Sequence, residues 1–401
     1  MYVDNIPYLD KSAFDFNFMD VERVDVMRGP QGTLYGRNAM GGIVRVFTKN
    51  PFHYRGTEVK MGYATGDNNR NVTVSHHHRL NDSFAFSAGG YYVGSDGFFK
   101  NDLTGKKVDG IQTVGGRLRG IYKANDRLTM DLSLNYDYCD EGAYPYYYAG
   151  SLTEKEPYAD YVGKISNNNE SRYRRNMLNT GLNISYDLGE VEIRSVTSFQ
   201  NLCDRMFQDQ DFLPRDIYTM EQRQRINTLT EEVTARSKHG AIWNWVGGLN
   251  VTKQWLRTEG PVTFGKDGVA MLEQNINSVL PENPPMSINF RGENLRMGGI
   301  FETPMLNLGV FHQSVFNITK ALSLTAGIRL DYEKNSINYD TSSSVDYGFS
   351  MPSMHVDFQD LTANITEYDG KINRDRFNVL PKVALKYDFD ANNNVYMSVA
   401  R

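Results

Sequence analysis

The chain has 401 residues, 40% of them hydrophobic, 23% charged and 12% aromatic, with a net charge of −5. No apolar run reaches the ~18 residues that a transmembrane helix needs, which excludes a conventional helical membrane protein. The acidic balance speaks against a nucleic-acid binder. A membrane β-barrel stays open, because only alternate residues there need be apolar.

In chain order, the first organised stretch runs from Val21 to Pro51, VERVDVMRGPQGTLYGRNAMGGIVRVFTKNP. Val24 and Val26 alternate with Asp25, as in a half-buried strand. Gly29-Pro30 breaks that strand, since glycine accepts positive φ and proline suits the first position of a short helix. Gly36 and the pair Gly41-Gly42 permit close backbone approach. Ile43 to Thr48 is a second β-rich run, ended by Pro51.

Beyond Pro51 the pattern becomes a series of strand pairs. Leu128, Met130, Leu132, Leu134 and Tyr136 alternate with polar residues, as do Leu322, Leu324, Ala326, Ile328 and Leu330. These runs extend for roughly 9–11 residues, the length that a tilted strand needs to cross a bilayer. Short polar turns are predicted at 80–83, 124–127, 187–190, 237–240, 319–321 and 388–392. Long connections alternate with them at 94–115, 139–171, 203–221, 258–304 and 334–374. Short turns on one side and long loops on the other are the outer-membrane pattern, and about thirteen strands are expected. Trp243 and Trp245 open one strand and Trp255 closes it on one parity, as aromatic residues at both membrane interfaces would.

The ordered set Val21-Glu22-Arg23-Val24, Arg28-Gly29-Pro30, Leu34-Tyr35-Gly36, Gly41-Gly42 and Thr48-Lys49 resembles the end of the plug domain of TonB-dependent outer-membrane receptors. Leu324 to Tyr332, Phe377 to Tyr387 with Asn394-Val395-Tyr396, and Thr230-Glu231-Glu232-Val233 resemble strands of the same family. The fold expected is all-β: a transmembrane antiparallel barrel (about thirteen strands of an expected twenty-two) preceded by the C-terminal part of an α+β plug. Residues 1–51 are assigned to the plug and 52–401 to the barrel. No signal peptide is visible, and the chain reads as a fragment of a receptor. The resemblance implies TonB-energised import of a scarce nutrient in the outer membrane of a Gram-negative bacterium. TonB, its inner-membrane energising partners and outer-membrane lipid would be its partners.

Site residues follow from that frame. The motif residues Arg28, Gly29, Pro30, Tyr35, Gly36, Gly41 and Gly42 are candidates for gating. Glu232 has the parity opposite to Val233, so it should face the lumen and pair with a plug arginine, Arg28 first and Arg37 second. In the external loops, Tyr144, Tyr146, Tyr147, Tyr148, Arg205, Phe207, Phe212 and Arg215 combine aromatic rings with cations. That chemistry suits an anionic, partly aromatic ligand such as a ferric siderophore. Cobalamin, haem or an oligosaccharide, a passive porin, and a non-functional remnant are the alternatives. His76-His77-His78 puts only His76 and His78 on one face and reads as an interface rather than a metal site. Cys139 and Cys203, one strand apart on opposite parity, should be free thiols. No catalytic set, cofactor loop or zinc spacing is visible.

Overall fold

The computed structural model describes every residue except 11, 12, 15, 16, 18, 30, 31, 36–40, 143, 151–156, 239–241, 282–284, 342, 367 and 401. A small N-terminal sheet holds β1 (Tyr2–Val3), β2 (Ile6–Pro7), β3 (Val21–Arg28) and β4 (Gly42–Thr48), in the order β2-β1-β4-β3. β1 and β2 form a hairpin across Asp4-Asn5. Both residues have positive φ, 47° and 70°, as the two-residue turn that matches strand twist requires. β1 lies parallel to β4, and β3 antiparallel to it. The short helix α1 (Gly32–Tyr35) sits between β3 and β4, so the strand, helical turn and strand read from the motif are all present. β3 is not half-buried as predicted. It is the edge of the sheet, and Val24 and Val26 are 51% and 62% exposed.

The large sheet begins with β5 (Gly56–Ala64), β6 (Asn69–Arg79), β7 (Phe84–Ser95), β8 (Ile111–Lys123) and β9 (Leu128–Gly142). It continues with β10 (Arg172–Asp187), β11 (Val191–Asp209), β12 (Tyr218–Ser237) and β13 (Trp243–Glu259). The connection after β13 carries β14 (Val262–Phe264), α2 (Lys266–Val279), β15 (Ser287–Phe290), β16 (Leu295–Met297) and β17 (Ile300–Glu302). β18 (Met305–Asn317) and β19 (Leu322–Asp340) rejoin the wall. A loop sheet with β20 (Ser343–Met351) and β21 (Val356–Thr366) follows, and β22 (Asp369–Asp388) and β23 (Asn394–Ala400) close the series. Thirteen of these strands are long wall strands, each antiparallel to its sequence neighbour in the wall. β5 pairs only with β6 among the described residues, and β23 only with β22.

The predicted short turns fall between consecutive wall strands at one end of the sheet, residues 239 and 240 of the turn 237–240 lying outside the described residues. The strands are longer than predicted: β12 and β22 have 20 residues, β11 and β19 have 19. They continue past the apolar belt into segments polar on both faces, where alternation carries no signal. The external connections are correspondingly shorter, that between β11 and β12 spanning only 210–217.

Alternation sorts each strand into two environments. Leu132, Leu134, Leu229, Leu249, Val310 and Ile328 face outward and are exposed, forming the belt that lipid covers. Trp243 and Trp255, at opposite ends of β13, are outward as well. Inward positions on β10, β11 and β12 are buried against the N-terminal sheet. Val3, Tyr8, Ala13 and Val46 of that sheet and its loops pack with Met177, Leu202 and Ile226 of the wall. Burial of each aliphatic side chain there contributes roughly 1.5–3 kcal/mol. Gly181 on β10 makes room for a close approach. A Cβ there would lie 2.5 Å from Cδ1 of Ile6.

Candidate functional site: the plug–wall seam and the external loops

The seam is built on the β1–β2 turn. Its Asp4 carboxylate accepts from the Thr48 amide at 3.0 Å and from the Thr48 hydroxyl at 2.7 Å. The same carboxylate is ion-paired with Arg117 of β8 and lies 3.6 Å from Arg119. Arg119 in turn makes a two-pronged contact with Asp131 at 3.0 and 2.7 Å and donates to the Thr48 hydroxyl at 2.9 Å. Asp4, Arg117 and Arg119 are all less than a tenth exposed. Beside them, Arg175 pairs with Asp137 at 3.0 Å, and Tyr91 donates to the same carboxylate. Charges so far from bulk water persist only because each is paired and hydrogen-bonded.

Glu232 faces inward, as its parity required, and lines two cavities between plug and wall of about 290 and 170 Å³. Arg45 of the plug and Arg194 of β11 line the smaller of these cavities with Glu232, and Arg28 lines neither. Arg28 is exposed at the end of β3, opposite Gly42. The plug arginine at this place is Arg45, in the middle of β4. It donates to Asn5 Oδ1 at 2.6 Å and to Tyr35 Oη at 3.3 Å. Arg329 is 1% exposed, bonded to Asp331 at 2.9 Å and set over the Phe311 ring.

Of the other motif residues, Tyr35 packs edge-on against Tyr2 at 5.4 Å. Gly29 adopts φ +81° and donates to the Gly41 carbonyl at 3.3 Å. Gly42 adopts φ +141°, and a Cβ there would meet the Met27 carbonyl at 2.4 Å, so this position needs glycine. Pro30, Gly36 and Arg37 lie outside the described residues.

At the external end, the structure gathers part of the predicted aromatic set. Tyr144 stacks on Tyr146 at 5.6 Å, and Tyr146 meets Phe212 edge-on at 5.8 Å. Tyr144 and Phe212 both hold positive φ, 63° and 58°, which is unusual for bulky residues and tends to mark functional sites. Tyr144 also lines a cavity of about 260 Å³ with Lys106, Lys107 and Asn167. Asn167 is buried there, and its side-chain oxygen has no hydrogen-bond partner among the described residues. Tyr148 meets Tyr158 at 5.9 Å, and Arg215 donates to Tyr158 Oη at 3.2 Å while pairing with Asp267 at 3.1 Å. Tyr147 is 56% exposed. Arg205 and Phe207 stand apart. They share the outward parity of β11, so they face away from the lumen.

His76 and His78 stack on the outward face at 5.8 Å, while His77 points inward and lies 3.6 Å from Asp20 of the plug. No cluster of three metal-ligating side chains occurs among the described residues. Cys139 and Cys203 are free. Asp4, Arg45, Arg117 and Arg119 were missed from sequence. The one available signal was that Arg117 and Arg119 flank the outward Leu118, which places both arginines on the lumen face.

A plug wedged by buried charge into a wall of lipid-facing antiparallel strands defines an outer-membrane receptor. Residues 1–43 match the TonB-dependent receptor plug domain, and residues 50–401 match the TonB-dependent receptor-like β-barrel. The chain therefore belongs to the TonB-dependent receptor family of the Gram-negative outer membrane. It is similar to the ferric yersiniabactin uptake receptor FyuA of Yersinia pestis, with a TM-score of 0.73 and 18% identity, over 100% of this chain and 54% of that one. The siderophore receptor PiuA of Acinetobacter baumannii gives a TM-score of 0.67 at 14% identity, over 95% and 54%. The pesticin receptor of Yersinia pestis is 45% identical over 51 residues, 13% of this chain and 7% of that one. The chain spans about half the length of these solved receptors.

Proposed function

We propose that this chain serves TonB-energised import of a ferric siderophore across the outer membrane. The observation that carries the reading is the seam. Asp4 with Arg117 and Arg119, and Arg45 near Glu232, join the plug to the wall through charge rather than through an unbroken apolar core. Such a joint is specific and rigid at rest, yet water entering a loosened seam solvates its charges and lowers the cost of parting them. A ligand bound by the external aromatic cluster would bias the plug-closed and plug-displaced states through its different affinity for each. TonB would supply the pull. Lock roles for Glu232 with Arg45, and contact roles for Tyr144, Tyr146 and Phe212, belong to this proposal. Tyr147, Tyr148 and Arg215 are further contacts in it. One similar solved receptor is described as a siderophore receptor and another as a ferric yersiniabactin uptake receptor, which favours that ligand class over cobalamin, haem or oligosaccharide.

The test is uptake of iron-55 presented as a panel of ferric siderophores to cells that carry the receptor as their sole importer. Import that disappears when TonB is deleted supports the reading. Uptake that persists without TonB and scales linearly with concentration would indicate a passive pore instead.

A further inference from the structure

The outward face of the wall carries a second charged feature, unconnected with the lumen. At the external ends of the strands, Asp140 of β9 faces Arg174 of β10, Arg174 faces Arg205 of β11, Arg205 faces Arg223 of β12, and Arg223 faces Glu259 of β13. Two residues along, Arg225 faces Arg257. Arg172 extends the band on β10. All these side chains share the parity of the lipid-facing apolar residues on their own strands, Leu132 on β9, Ile193 on β11, Leu229 on β12 and Leu249 on β13 among them.

Three arginines in consecutive cross-strand positions are an unfavourable arrangement for the protein alone, because like charges directly opposite repel. The carboxylates relieve it only in part. Asp140 is shared between Arg172 and Arg174, at 2.6 and 3.2 Å, and Glu221 between Arg205 and Arg223. Both carboxylates are tucked beneath their partners, 16% and 12% exposed, whereas the four arginines are 41–49% exposed. Arg257 pairs with Glu259 at 3.0 Å. Arg225 is exposed and has no carboxylate within ion-pair distance among the described residues. The band therefore presents outward-directed N–H donors that its own carboxylates do not occupy.

Depth decides what meets it. Trp255 is exposed on the same face of β13, two residues from Arg257 on the membrane side. Tryptophan marks the boundary between hydrocarbon and headgroups. Arg257 and its neighbours thus stand at the headgroup level of the external leaflet. The band also adjoins a cavity of about 390 Å³ at the ends of β8, β9 and β10, lined by Arg70, Lys107 and Arg172 together with Asp96, Asp140 and Glu170.

We propose that this arginine band is a binding site for the phosphate groups of an outer-leaflet lipid. Guanidinium binds phosphate with two parallel hydrogen bonds, and a phosphate seated among Arg174, Arg205 and Arg225 offsets their mutual repulsion. Clustered basic residues at a membrane surface recognise anionic headgroups by the same physics. The inference rests on the outer-membrane location, not on which ligand is imported.

The experiment is native mass spectrometry of the full receptor in detergent, offered lipid A with both phosphates or lipid A stripped of them. The native protein should prefer the phosphorylated lipid by about tenfold or more. The triple variant Arg174→Gln, Arg205→Gln, Arg225→Gln should lose that preference, and the matching triple Lys variant should keep most of it. Heat-modifiable migration on gels reports whether each barrel is folded, and a variant that fails it is replaced by the Arg225→Gln single variant, expected to weaken the preference. Equal retention of both lipids by the native protein overturns the proposal. So does an unchanged preference in a folded Gln variant, or displacement of the lipid by millimolar inorganic phosphate. Iron uptake should be the same in the folded Gln variant and the native receptor, which separates this result from the import reading.

Discussion

Asp4 of the plug hairpin and Arg117 of wall strand β8 form an ion pair in which both side chains are less than a tenth exposed. They are separated by 113 positions in sequence, and the turn that presents Asp4 is held by two hydrogen bonds to Thr48. Removing one partner of such a pair leaves an uncompensated buried charge, at a cost of ~3–5 kcal/mol. Asp4→Ala should therefore loosen the plug. Single-molecule pulling on the receptor should show a lower force for plug extraction, and an unchanged force would remove Asp4 from the seam.

Gly181 and Ile6 make a steric rather than an electrostatic contact. Gly181→Leu places side-chain atoms where Ile6 now sits, and overpacking of that kind costs ~1–3 kcal/mol. Ile6→Ala in the same chain should recover much of the loss. Four thermal melts, for the native, two single variants and the double, measure the coupling. Additive effects would mean that the two residues do not meet.

The Tyr144–Tyr146–Phe212 cluster separates binding from backbone strain. Tyr146→Ala removes both ring contacts and should raise the siderophore concentration for half-maximal uptake by about tenfold, taking each aromatic pair at ~0.5–1.5 kcal/mol. Phe212→Gly loses one ring contact but relaxes a left-handed backbone. Its melting temperature should match or exceed the native value while its uptake weakens. A variant that melts lower and imports normally would assign the cluster to loop packing alone.

Asp211, in the loop between β11 and β12, has its carboxyl raised above the ordinary range, chiefly by burial and despite amide donors from Leu213, Ile217 and Tyr218. A raised value in the folded loop means that its contribution to loop stability is fully present below the unfolded value. That contribution is lost as pH rises through the folded one. Amide protection in 210–217, corrected for intrinsic exchange, should fall as pH climbs out of the acid range. Asp209, two residues earlier, is raised in the same direction by burial and by the charge of Asp211. The double variant Asp209→Asn, Asp211→Asn should therefore flatten the profile, and a native profile already flat would contradict the sign.

Much of the wall was legible in the sequence because a strand with lipid on one face and a polar lumen on the other must alternate with period two. That constraint is local, so Leu322 to Leu330 declared its own orientation, and the polar turns declared where the chain reverses. Inward Glu232 and outward Trp255 followed from parity alone. The glycines of the plug motif were legible for a similar reason, since Gly42 answers to a backbone approach within its own hairpin.

Which charges meet across the lumen was a different kind of question. Parity put Glu232, Arg117, Arg119 and Arg329 on the inner face, but the plug's rotation and depth decide their partners. Arg45 rather than Arg28 came to lie near Glu232 because β4, not the end of β3, faces that part of the wall. Arg205 left the ligand candidates for the same reason of direction, its strand running on past the hydrocarbon belt with its parity intact. Local periodicity reports only which side of its own strand a residue occupies. The distance between two strands, or between a strand and the plug, is set by packing of residues far apart in sequence, and only the tertiary structure decides it.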